Sequence, residues 1–254
     1  MPSVRRSWIA VLCGMFLLAP PCQAQEAQRP AKLSLAMVLP RDPLAASSSG
    51  ANFFAGRSGD RVAYNTQMAA TGALVFADDS GLYKTLQGRS ENRSLTDLAH
   101  AFNHLGDLTY VAPALGLVYL SGGKENQHLV WQAGMAVLKA GIIGVVLKEA
   151  VGRKRPKGRD GGDGDTFRPF SFNGDDYQSF PSGHALVAFS VATVWAHDKP
   201  REKDLAYALA TAVGLSRIYS HAHWPADVFW GAVLGVSQAR QVLRGNTNLL
   251  TFKF

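Results

Sequence analysis

Three short segments, well separated along the chain, constrain its fold more than any other feature. Lys148 is followed after six residues by Arg155-Pro156. Pro181-Ser182-Gly183-His184 comes next, and then Ser216-Arg217, with five residues between it and His223 and three more between His223 and Asp227. Each lies where a helical pattern stops or starts. Together they hold three cations, the N–H donors of a helix start, two imidazoles and one carboxylate, which makes an anion site with acid–base groups. They can act together only if three helix ends meet at one place, so the chain must fold to bring them there.

The remaining pattern agrees with a helical fold. Signals for strands, meaning apolar alternation bounded by turns, are nearly absent. Tyr64, Met68, Thr71-Gly72 and Val75-Phe76 line one face of a helix starting near Val62 and ending near Asp78-Asp79-Ser80-Gly81. Further helices are predicted over Ser94–Leu105, capped by Ser94-Leu95-Thr96-Asp97, and over Val111–Leu120, closed by Ser121-Gly122-Gly123. His128–Val151, Ser182–His197, Glu202–Ser220 and Pro225–Leu243 complete the set, with a Gly- and Asp-rich loop over 157–180. The fold class expected is all-α, a helical bundle. At 254 residues the chain can bury a full core in one domain.

The first 24 residues read as an export signal: Arg5-Arg6, an apolar stretch from Trp8 to Ala19, and the small residue Ala24 at the end of Cys22-Gln23-Ala24. Both cysteines, Cys13 and Cys22, fall within it, so a processed chain has no thiol, and disulfides, thiolate catalysis and cysteine-bound zinc are excluded. Residues 25–60, with Pro30, Pro40, Pro43 and Ser47-Ser48-Ser49-Gly50, read as an irregular arm before a helical domain at 61–254. The expected location is periplasmic or secreted after cleavage, with an integral membrane protein as the alternative. A mean hydropathy of −0.02 argues against a chain made mostly of spanning helices. The longest apolar run, Trp131–Leu147, is broken by Lys139 and falls short of the roughly 20 residues a span needs. A soluble or peripherally membrane-associated domain is therefore favoured. The formal charge of +7 suits anionic substrates or lipid surfaces. Its concentration between Arg153 and Arg159 does not indicate a nucleic-acid partner.

Each segment has a plain local reading. The basic run Arg153–Lys157 can be a solvated loop complementing a helix C-terminus. Pro181–His184 can be a capped helix start, and Asp227 a first-turn helix charge beside a surface His223. Their joint order favours the chemical reading. Arg155 and Arg217 can grip oxygens in pairs, and Lys148 adds a mobile point charge. Ser182-Gly183 opens a helix whose N–H groups suit an anion, and Gly183 permits close backbone approach. Asp227, one turn beyond His223, can reach back to an imidazole nitrogen and leave the other as a nucleophile. His184, beside the bound anion, is placed to protonate a leaving alcohol.

These residues at these spacings resemble the tripartite signature of the type 2 phosphatidic acid phosphatase (PAP2) and vanadium haloperoxidase superfamily. The resemblance covers residues 148–227 and matches every signature position. It implies a bundle of the PAP2/haloperoxidase type, with His223 attacking phosphorus to form a phosphohistidine. His184 would protonate the departing oxygen and then help activate water. Lys148, Arg155, Arg217, Ser182 and Gly183 would hold the phosphoryl oxygens, with no metal and no cofactor. The activity implied is a metal-independent phosphatase acting on phosphomonoesters or diphosphates, lipid-linked ones among them. The alternatives are a vanadate-dependent haloperoxidase and a catalytically silent anion-binding envelope protein.

Other candidates are weaker. His221 lies two residues before His223 but lacks a carboxylate at the signature spacing. His100 and His104 lie one helical turn apart without the Glu of a zincin motif. Asp160, Asp163 and Asp165 depart from EF-hand spacing. Phe167, Phe170, Phe172 and Tyr177 make the long loop aromatic, which fits either a lipid tail or packing onto the domain.

Overall fold

The computed structural model describes residues 58–87, 93–157, 164–170 and 175–248. The export segment, the arm up to residue 57, and residues 158–163 and 171–174 of the long loop, including Asp160, Asp163 and Phe172, lie outside the described residues. The chain divides into two compact units, Met1–Leu74 and Val75–Phe254. Every candidate site residue belongs to the second.

The fold is all-α. Among the described residues there are eight α-helices: α1 Ser58–Ala77, α2 Asp79–Gln87, α3 Arg93–His104, α4 Leu108–Leu120, α5 Lys124–Val151, α6 Gly183–Asp198, α7 Lys203–Tyr219 and α8 Pro225–Leu243. Local chemistry sets several of their ends. Asp107 caps α4, its carboxylate accepting the Thr109 N–H at 2.9 Å, so that helix begins three residues earlier than apolar periodicity predicts. Gly152 ends α5 with φ 59°, returning its N–H to the Lys148 carbonyl at 2.9 Å. No side chain fits there, because a Cβ would run into the backbone carbonyl of Arg168. Pro225 occupies the first position of α8, where no N–H is needed.

The first helix ends beside Asp78-Asp79-Ser80-Gly81 as expected, but the reading of those residues as a turn is corrected. α1 ends at Ala77, and a separate helix runs from Asp79 to Gln87. Asp79, Tyr83 and Gln87 recur every four residues, all three are buried, and each bonds to another element, as described below. That tertiary anchoring outweighs the local turn signal of Ser80-Gly81.

α6 is the central helix. Ten of its sixteen residues are buried, and it packs against α5, α7 and α8. The approach of α8 is set by small residues: a Cβ at Gly231 would stand 2.5 Å from the Ser182 carbonyl oxygen, and one at Gly235 2.5 Å from that of Leu186. This packing brings the start of α6 to the start of α8. α3 lies on α7 and α4 on α5.

The outer face of α4 and α5 is apolar, and it is uncovered among the described residues. No residue of α4 is buried. Leu117 and Leu120 are 70% and 78% exposed, and on α5 Val145 and Val146 are 63% and 62% exposed. α5, at 28 residues, is the one helix among the described residues long and apolar enough to cross a membrane. Lys139, which interrupts its apolar run in sequence, points inward instead. It is fully buried, with Nζ donating to the Asn246 carbonyl at 2.9 Å.

Two glycines give opposite expectations. Gly235→Ala forces a methyl into the α6 backbone and should destabilise by about 1–3 kcal/mol. Gly141→Ala, where a Cβ meets nothing within 4 Å, should stabilise by about 0.4–1 kcal/mol. Thermal unfolding of the two variants checks the contrast; equal effects would contradict the α6–α8 contact.

Candidate active site

The three segments converge. Lys148, at the end of α5, donates to the Gln178 carbonyl at 2.7 Å. Arg155 follows in a stretch stitched to the returning loop: its N–H donates to the Asp176 carbonyl at 2.9 Å, and the Ser179 N–H donates to the Arg153 carbonyl at 3.0 Å. The Ser182 N–H, just before α6, donates to the Asp227 carbonyl at 2.9 Å and so ties the second segment to the third. Arg155 Nη1 donates to the Ala222 carbonyl at 3.1 Å and lies 3.5 Å from His223 Nε2, tying the first segment to the third.

His223 is 2% exposed. Its Nδ1 stands 2.7 Å from the Ser179 carbonyl oxygen. A carbonyl only accepts, so Nδ1 carries the proton and Nε2 carries the lone pair. The sequence expectation gave that orienting role to Asp227. Asp227 Oδ2 lies 3.8 Å from Nδ1, an ion-pair distance beyond hydrogen-bond reach. The carboxylate is engaged elsewhere: Oδ2 accepts the Ser179 hydroxyl at 2.5 Å and the Trp224 N–H at 2.9 Å, and Oδ1 accepts Arg153 Nη1 at 2.8 Å. Ser179 therefore contacts both residues, its carbonyl on the imidazole and its hydroxyl on the carboxylate. Burial works against charge on Asp227, but the neighbouring imidazole, Arg153 and Ser179 together hold its pKa below the usual carboxylate value.

His184 is in the first turn of α6. Its Nε2 is buried and has no hydrogen-bond partner among the described residues. Burial, and then the positive charges of Arg217, Arg155 and Lys148, push this imidazole down to about 4. Burial is also the main cause that pushes His223 down to about 3, with Lys148 and Arg155 adding to it. Both imidazoles are neutral at pH 7. The same two cations act on both, so the histidines border one positive region.

Of the other predicted residues, Arg217 on α7 is held by Asn103, whose Oδ1 accepts from Nη1. Ser182 is fully buried; its hydroxyl caps the Ala185 N–H at 3.5 Å, and its own amide is taken by Asp227. The donors facing outward at this helix start are thus the first-turn N–H groups of Gly183 and His184, which have no intrahelical acceptor. A Cβ at Gly183 would meet nothing within 4 Å, so packing inside the chain does not demand glycine there. His221, at φ 56°, is hydrogen-bonded through Nδ1 to the Tyr83 hydroxyl at 2.5 Å and has a structural contact of its own. His104 packs its ring on Tyr110 at 4.3 Å. No group of three His, Cys, Asp or Glu side chains converges among the described residues.

Sequence reasoning missed Arg153, Asp79, Ser179 and Asn103. Arg153, read as part of a solvated basic run, is 1% exposed. Its Nη1 binds Asp227 at 2.8 Å, its Nη2 binds Asp79 Oδ2 at 2.6 Å, and its Nε donates to the Gly164 carbonyl at 3.0 Å. The guanidinium also lies 4.6 Å from the Phe76 ring centre and 5.3 Å from that of Trp224. Burial pushes the Asp79 carboxyl up to about 7, with Arg153 pulling the other way. No signal in the run Arg153–Lys157 separates the buried arginine from its neighbours.

Residues 129–249 match the profile of the PAP2 superfamily. It is 33% identical over 99 residues to the lipid A 1-phosphatase of Rhizobium johnstonii, which covers 39% of this chain and 40% of that protein. The chain thus spans about two fifths of that relative's length. It is 28% identical over 156 residues to phosphatidylglycerophosphatase B of Bacillus subtilis, 56% of this chain and 70% of the relative. The crystal structure of Aquifex aeolicus LpxE shares the fold, with a TM-score of 0.53 and 24% identity over 65% of this chain and 93% of that one.

Because burial lowers both histidines, His184 and His223 should stay neutral down to about pH 5, where an exposed histidine is mostly protonated. Saturating inorganic phosphate, which is anionic throughout the titration, should move His184 upward, since a nearby negative charge favours the imidazolium. Nitrogen-15 NMR titration of the two rings checks both signs; a midpoint near 6.5 for either ring in the free protein would contradict the buried geometry.

Proposed function

We propose that this chain is an exported, membrane-associated phosphatase that cleaves lipid-linked phosphomonoesters or diphosphates through a phosphohistidine, without a metal ion. The observation that carries the reading is the pinned tautomer of His223. With Nδ1 committed to the Ser179 carbonyl, Nε2 presents a lone pair beside Arg155. Lys148, Arg155 and Arg217 neutralise the phosphoryl oxygens, and the N–H groups of Gly183 and His184 add donors at the positive end of α6. This donor set does the charge work that a metal would otherwise do.

In the first step Nε2 of His223 attacks phosphorus and the bond to the ester oxygen breaks. The substrate's negative charge raises the proton affinity of His184, which supplies the proton that the departing alkoxide takes. The phosphorylated imidazole carries positive charge, which Asp227 stabilises from 3.8 Å. In the second step His184 takes a proton from water as the water oxygen attacks phosphorus. The phosphorus–nitrogen bond breaks, and a phosphomonoester yields one alcohol and one inorganic phosphate, while a diphosphate yields a phosphomonoester and one inorganic phosphate.

The lipid substrate class rests on three supports. An apolar groove of about 560 Å³ runs between α4 and α5, lined by residues including Leu108, Leu115, Val137 and Leu138. It starts two residues after Gly106, where a Cβ would stand 2.9 Å from that of His184, so an alkyl tail in the groove leads from the site. The exposed apolar face of α4 and α5 suits contact with a bilayer. The relatives named above act on lipid A and phosphatidylglycerophosphate by their names. Export rests on the leader, with Arg5-Arg6 and the apolar stretch Trp8–Ala19.

His223→Ala should lower kcat at least about a thousandfold, and Asp227→Asn by about 10³–10⁴ on the precedent of oriented triads. Phosphate release from a panel of lipid A, phosphatidylglycerophosphate, phosphatidate and a water-soluble ester, with a chelator present, measures this. Turnover should favour the lipid esters and survive chelation. A tenth of wild-type activity in His223→Ala removes the nucleophile assignment, and equal turnover of the soluble ester removes the lipid assignment.

A further inference from the structure

One face of α2 braces the segment that carries His223 and Asp227. Asp79 Oδ1 accepts the Ala226 N–H at 2.8 Å, the Tyr83 hydroxyl is hydrogen-bonded to His221 Nδ1 at 2.5 Å, and Gln87 Nε2 donates to the Ile218 carbonyl at 2.5 Å. Of the three, only Asp79 also touches the charge network of the site. Its Oδ2 holds Arg153 Nη2 at 2.6 Å while Asp227 Oδ1 holds Nη1 of the same guanidinium at 2.8 Å. One buried cation is shared by two buried carboxylates.

That sharing has an electrostatic consequence. If Arg153 faced Asp227 alone, the pair would be neutral and would offer little to a positive charge forming on His223. With Asp79 ionised on the far side of the guanidinium, the trio keeps a net negative charge, and burial of all three side chains weakens its screening by bulk solvent. We propose that Asp79 is a positioning residue for phosphoryl transfer: it draws on Arg153 from behind and fixes the α8 start through Ala226, so that Asp227 keeps its charge and place beside His223. This rests on the histidine mechanism above. The phosphoryl oxygens are held by Lys148, Arg155 and Arg217, and none of the contacts of Asp79 involves them, so the effect should appear in the chemical step.

The test is a double-mutant cycle on the full chain, assayed by phosphate release from a lipid phosphate at pH 8, above the value to which burial lifts Asp79. Asp79→Asn keeps an acceptor for the Ala226 N–H and removes only the charge. It should lower kcat by about tenfold to a hundredfold, with KM within about twofold of wild type. Because Asp79 acts through Asp227, Asp79→Asn added to Asp227→Asn should cost less than about threefold more, a non-additivity that a merely structural residue does not give. Wild-type kcat in Asp79→Asn, or losses that multiply in the double variant, would overturn the proposal. If Asp79→Asn does not fold, Asp79→Glu decides: with the charge kept, kcat should stay within about fivefold of wild type, and a loss as large as that of Asp227→Asn would overturn it. His223→Ala separates the two layers. If it is active, the histidine mechanism fails; if it is inactive while Asp79→Asn matches wild type, only the role of Asp79 fails.

Discussion

Arg153 carries a permanent charge at a place where 1% of its surface is exposed, and much of the site is arranged around that fact. A buried guanidinium is tolerated only when its donors are satisfied and its charge is met; removing one partner of such a pair costs about 3–5 kcal/mol. Here the partners come from separate parts of the chain: Asp79 on α2, Asp227 on α8 and the Gly164 carbonyl, with Phe76 and Trp224 beside the cation. Satisfying one side chain therefore fixes the start of α8, the seating of α2 and the return of the long loop. The angle at which Asp227 meets His223 follows from those placements.

Charge is divided across the site with His223 at the boundary. Lys148 and Arg155 lower the affinity of its imidazole for a proton, and Asp227 raises it. Burial decides the balance, and the ring is left neutral with its lone pair on Nε2. The Ser179 backbone does the steering that a carboxylate performs in many triads, which leaves Asp227 to meet charge as it develops. A backbone carbonyl cannot ionise or change rotamer, so the tautomer it imposes is independent of pH over the range in which the ring is neutral.

The sequence marks the signature residues and gives no local sign of the residues that support them. Lys148, Arg155, His184, Arg217, His223 and Asp227 stand out because their order and spacing resemble a known signature. Arg153 and Asp79 act through contacts across 74 residues or more of sequence, and neither run around them differs in composition from an ordinary basic loop or turn. α2 was hidden for a related reason, since Ser80-Gly81 reads locally as a stop and only the anchoring of Asp79, Tyr83 and Gln87 overrides it. Lys139 misled in the opposite direction: in one dimension it interrupts an apolar run, whereas its helix phase turns it into the protein and leaves the outward face of α5 apolar.

By itself, then, the sequence determined the helical class and the inventory of reactive groups, because helix periodicity, caps and short-range spacing are local properties of the chain. Tertiary structure alone decided which atom orients His223, which carboxylates share Arg153, and that α4 and α5 present an exposed apolar face among the described residues. Those outcomes depend on desolvation and on hydrogen bonds between distant segments. Burial changes the energy of a charge or a polar atom far more than a sequence neighbour does, and burial exists only once the helices have packed.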